Sequence, residues 1–138
     1  MARALIALHS DTFIVKLTHI SDTYPSGRAC LKAYISACRD ALDGGGKLRL
    51  CVTFCIGPEG LGPDVLARLD GLHRVAAAWL SEVVAAGQSD NAIVDVRDWT
   101  AEAQACLVQT EVAQLFARAA KDVMRFNAAV ARLLDRIA

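Results

Sequence analysis

The 138 residues match the length of one ordinary domain, and they are 54% hydrophobic but only 6% aromatic, so the apolar content is mostly Ala, Leu and Val, a mix that favours helices over a β-sandwich. Fifteen basic residues balance fifteen acidic ones, which excludes the basic footprint that gripping phosphate requires. A single all-α domain over residues 1–138, with no nucleic-acid surface of its own, is the starting expectation.

No apolar run reaches the ~18 residues of a membrane span, and the opening apolar segment turns polar at His9, Ser10 and Asp11. These features predict a soluble cytoplasmic protein with no membrane partner. Five cysteines, Cys30, Cys38, Cys51, Cys55 and Cys106, are odd in number and sit within apolar patterns. That arrangement is unlike a secreted disulfide framework and predicts small, buried, reduced side chains.

In chain order, residues 2 to 20 read as a helix with Ile6, Phe13, Leu17 and Ile20 on one face. Between Ile6 and Phe13 that face presents His9 and Ser10, a polar gap that suits a pocket wall or an exposed turn. The pattern starts almost from Met1 with no N-cap residue before it, as if an upstream element had been removed. Ser21 to Tyr24 reads as a turn, and Pro25 suits the opening of a second helix because a first-turn residue makes no intrahelical use of its N–H. That helix should run to about Asp43, burying Leu31, Tyr34, Ile35, Cys38 and Leu42 and ending in Gly44-Gly45-Gly46.

From Leu48 to Ile56 the pattern alternates strictly, which by itself spells a strand. A lone strand leaves its ladder groups unpaired, however, and the only other candidate is the short Ile93 to Val96. Gly57-Pro58 stops this element. Pro63 then opens a long helix carrying Val65, Leu66, Leu69, Leu72, Ala76, Trp79, Leu80 and Val83 at helical spacing, with Gly87 closing it. After a connection from Gln88 to Arg97, Asp98 can cap the next helix, and Glu102 stands in its first turn where negative charge suits the helix dipole.

Asp98 to Ala138 carries two further helical patterns. The first has a row of small side chains, Ala103, Cys106, Thr110, Ala113, Ala117 and Ala120, which would let another backbone come close. The second steps by three and four through Val123, Phe126, Val130, Leu133 and Ile137. Both faces call for helical partners, and a second copy of the chain is the expected one.

Catalytic chemistry finds little support. No nucleophile elbow, glycine-rich phosphate loop or paired-carboxylate motif places the Ser, His and Asp residues in context, so no enzyme and no cofactor are expected. Cys51 and Cys55 would lie one turn apart on a helix, but a zinc site needs about four ligands and no second pair exists at short spacing. A thiol sensor would need an exposed cysteine of low pKa. Glu111, beside Gln109 and Thr110, is the best lone polar group for a pocket, and His73 reads as a satisfied side chain beside an apolar face.

Leu50-Cys51-Val52-Thr53-Phe54-Cys55-Ile56-Gly57-Pro58-Glu59, then Leu61-Gly62-Pro63-Asp64-Val65 and Ala78-Trp79-Leu80, resemble the ligand-binding half of one branch of the tetracycline-repressor (TetR) regulators. Val108 to Arg118, followed by Asp122 and Phe126, is similar to the last two helices of that family. The resemblance covers essentially the whole chain and implies an all-α bundle of about six helices, dimerising through the last two. It also implies a small, mainly hydrophobic effector held among the earlier helices, and with it a helical reading of Leu48 to Ile56. Gly57-Pro58 departs from the family's helical residues, so the pocket-side helix should end early. The family's N-terminal helix-turn-helix is missing, so DNA would be reached only through that absent unit; the chain reads as a fragment of a regulator or as an orphan sensor domain. On this reading the pocket includes His9, Phe13, Tyr34, Phe54, Trp79 and Glu111. The homodimer interface includes Cys106, Thr110, Ala113, Ala117, Phe126, Val130, Leu133 and Ile137. The alternative is a helical protein-interaction module.

Overall fold

The computed structural model describes residues 1–45, 52–53 and 59–136. Five helices run through them, α1 (Ala2–Thr23), α2 (Gly27–Asp40), α3 (Pro63–Ser89), α4 (Trp99–Ala120) and α5 (Val123–Asp135), and no strand occurs among the described residues. The all-α expectation holds among the described residues, five helices being described along their length. Of the alternating stretch Leu48 to Ile56, only Val52 and Thr53 are described; both are helical and Val52 is buried.

Helix ends follow their capping chemistry. Asp98 Oδ1 accepts from the Thr100 and Ala101 amides, as its sequence position predicts. Asp122 does the same for α5 through the Met124 amide at 2.9 Å, after Lys121 turns the chain in the left-handed region at φ 51°. Three boundaries differ from expectation. α1 continues through Ser21 to Thr23, and the cap of α2 is Ser26, whose Oγ accepts from the Ala29 amide at 3.1 Å; Pro25 therefore precedes the cap. α2 stops at Asp40 rather than about Asp43, because Leu42 already bonds back to Arg39 in a tighter turn. Gly87 does not end α3: the helix continues to Ser89, and the glycine instead gives the Ile93 side chain room to pack.

α4 packs along α3 on one side and α5 on the other, with α2 laid across α3 and α1 against both. A buried polar contact crosses this core from α4 to α2. At the end of α2 the Leu42 amide donates to Arg39, and the Cys38 carbonyl takes a donor from across the core. The fully buried Gln114 of α4 supplies the donor, its Nε2 lying 2.8 Å from the Cys38 oxygen. Gln114→Leu keeps the apolar bulk and removes that donor, so it should destabilise the fold by about 1–3 kcal/mol. A urea midpoint unchanged by the substitution would contradict this role.

Candidate functional site

A cavity of about 150 Å³ lies between α1 and α2. Its α1 wall is His9, Thr12, Phe13, Lys16, Leu17 and Ile20, one face of the helix at three-four spacing, and its α2 wall is Tyr34, Ala37, Cys38 and Ala41. The two alanines keep α2's wall shallow, which leaves the space open. His9 stacks on Phe13 with ring centroids 6.3 Å apart. The buried His9 Nε2 and Ser10 Oγ have no hydrogen-bond partner.

Three of the six predicted pocket residues, His9, Phe13 and Tyr34, thus share one cavity. Trp79 of α3 stands behind it, its ring 5.7 Å from that of Tyr34, and its indole N–H donates to Ser21 Oγ at 2.7 Å. It braces the cavity's wall and ties α1 to α3. Glu111 lies elsewhere: its Oε1 is 2.9 Å from Nε2 of the partly buried His73, a contact that joins α4 to α3. Phe54 falls outside the described residues.

The residues predicted at a dimer interface sit inside the protomer. Cys106, Thr110, Ala113, Ala117, Phe126, Val130 and Leu133 are all buried in the chain's own core, while Ile137 lies outside the described residues. The small row does admit close neighbours, but they are helices of the same chain, and Ala113→Trp would disrupt the protomer before it tested any dimer. α4 and α5 carry a second apolar face that points outward. Val108, Val112 and Phe116 follow each other at four-residue spacing, with Val108 58% and Phe116 63% exposed, and Met124 of α5 is 62% exposed beside them in the chain. A shallow groove there is lined by Phe116, Ala119, Ala120, Arg125, Ala128 and Ala129. The signal was present in the sequence as the Val108-Val112-Phe116 step, one helical face away from the small row.

Two of the buried cysteines, Cys30 and Cys106, have thiols held in the protonated form. Burial is the main cause pushing the Cys106 thiol up to about 12, with Cys38 and Glu102 adding to the shift, and burial also raises Cys30. Cys51 and Cys55 lie outside the described residues. No group of three or more metal-ligating side chains occurs among the described residues, and no described helix is long and apolar enough to cross a membrane. The raised Cys106 pKa has a sign for stability. The thiol stays protonated in the fold while the unfolded chain ionises, so its stabilisation is complete below the ordinary value of about 9 and is lost as pH rises towards 12. The denaturant midpoint should therefore fall across that window, and Cys106→Ala should flatten the fall. At about pH 8, peptide mass mapping after thiol labelling should find Cys106 modified only under denaturing conditions; rapid native labelling would contradict the burial argument.

No protein-family model matches the sequence, and curated proteins give no match. Solved structures do. A TetR-family transcriptional regulator from Agrobacterium tumefaciens superimposes with a TM-score of 0.91 at 20% identity, covering 99% of this chain and 73% of that one. The reduced form of NemR from E. coli superimposes at 0.87 with 19% identity, covering 99% and 72%. Over almost its whole length, the chain has the fold of these TetR-family regulators.

Proposed function

We propose that the chain is the effector-binding and dimerisation part of a TetR-like transcriptional regulator. Two copies meet through the outer face of α4 and α5, and a small, mainly apolar molecule occupies the α1–α2 cavity. The observation that carries this reading is the outward apolar stripe of Val108, Val112 and Phe116, on a helix whose other face is already filled by the chain's own core. A stripe of large apolar side chains left exposed by the described residues of its own chain is the kind of surface that supports association. Recognition of DNA is left to a helix-turn-helix unit outside these residues.

The effector acts by differential affinity for two dimer geometries. The cavity's α2 wall is joined directly to the dimer helix, because the carbonyl of cavity-lining Cys38 is held by Gln114 of α4. Widening the gap between α1 and α2 therefore bears on α4, whose opposite face meets the second copy.

A benzophenone amino acid at position 116 should yield, on irradiation, a covalent product of twice the 14.8 kDa chain mass. The same probe at Val15, exposed on α1, should leave monomer. Dimer product from position 15 alone, or from neither position, contradicts the assignment.

A further inference from the structure

We propose that the α1–α2 cavity takes a neutral molecule of one ring, with the size and polarity of toluene and no ionised group. This rests on reading the cavity as the effector site and adds the chemical class of the effector.

Size sets the first limit. About 150 Å³ of apolar space holds one benzene ring, and it lies well below the roughly 300 Å³ at which pockets for drug-sized ligands begin. The walls that bound this volume belong to the packed core. Phe13, Leu17, Ile20 and Tyr34 are all buried, and the ring of Trp79 backs Tyr34 at 5.7 Å while its indole N–H is tied to Ser21 of α1. A second ring would have to displace these side chains from a close-packed interior, which gives way only at a cost in stability.

Chemistry sets the second limit. The polar residues of the described wall do not call for a charged partner. Thr12 Oγ1 already donates to the Leu8 carbonyl of its own helix at 2.9 Å. His9 Nε2 is enclosed by protein and has no surface to offer a ligand; the His9 ring stacks on Phe13 instead. Lys16 is exposed, and a lysine so placed keeps its ammonium in water while its stem covers apolar surface. Across from them, Ala37 and Ala41 of α2 present only methyl groups. An ionised group held here would give up its water with no counter-charge or hydrogen bond from the described wall to replace it, whereas a hydrocarbon ring loses nothing polar on entry.

The test uses the full chain and four probes, toluene, biphenyl, benzoate and benzylamine, followed by titration calorimetry and by the fluorescence of Trp79, which stands against cavity-lining Tyr34. A Trp99→Phe background removes the other tryptophan. Toluene should bind at least about tenfold more tightly than each of the other three. Ala41→Leu and Ala37→Leu each extend a short wall residue into the space; either should weaken toluene binding at least about tenfold, with far-UV circular dichroism identifying the variants that fold. Biphenyl, benzoate or benzylamine binding as tightly as toluene, and weakened by the same fillings, would overturn the neutral one-ring class while leaving the cavity as the effector site. Toluene binding that neither filling weakens, or no binding by any of the four, would overturn the effector-site reading together with this one.

Discussion

Gly27→Ala is expected to lower the thermal midpoint by about 10 °C or more, whereas Gly71→Ala, a helix glycine in the same chain, should raise it slightly. The first turn of α2 crosses the last turns of α3 at backbone contact. A Cβ added at Gly27 would lie 2.3 Å from the Val83 carbonyl oxygen and 2.5 Å from the Gly87 amide nitrogen. Neither atom ends a flexible side chain, so relief requires the two helices to separate, and α2 carries Leu31, Tyr34, Ile35 and Cys38 into the core. Overpacking of this kind costs about 3 kcal/mol or more, a large share of the roughly 5–15 kcal/mol that holds a domain together. Gly71 has nothing within 4 Å of the same atom, and replacing a helical glycine by alanine is favourable by about 0.5–1 kcal/mol. Calorimetric scans of the two variants would show opposite shifts; a Gly27→Ala midpoint near that of the parent would contradict the crossing.

If two copies meet through the α4–α5 face as proposed, Phe116→Asp is expected to dissociate them without unfolding the protomer. Phe116 is 63% exposed in the single chain, so its replacement removes little from the protomer's own core. In the dimer the same ring would be buried against the second copy. Losing it forfeits about 1.5–3 kcal/mol of apolar burial, and placing a carboxylate there adds the cost of desolvating a charge. The dimer dissociation constant should rise at least ~100-fold, while the far-UV circular dichroism and thermal midpoint of the monomer stay close to those of a dissociated parent. Met124→Asp on α5 should act in the same direction. An unaltered association constant in both variants would remove this face from the interface.

The sequence was most legible where one residue type does one local job. Asp98 caps a helix, Pro63 opens one, and the His9-Ser10 break in an apolar stripe falls where the wall of α1 meets a cavity. It was least legible where the meaning of a residue depends on what arrives from far along the chain. Gly87 reads locally as a helix stop, yet it stands inside α3 to make room for Ile93. Gln114 carries no local signal of its role, which is to close the carbonyl end of α2 from 76 residues away. α4 was ambiguous for a different reason: it is apolar on two faces, and periodicity cannot say which of them meets the chain's own core. The row with the smaller side chains, which invites close backbone approach, lies inside; the row with Val108, Val112 and Phe116 lies outside.

Sedimentation velocity of the unaltered chain across the micromolar range tests the central claim most directly. A species of twice 14.8 kDa that dissociates only on dilution is the result predicted for an outward α4–α5 face that joins two copies. A single 14.8 kDa species at every concentration would contradict it.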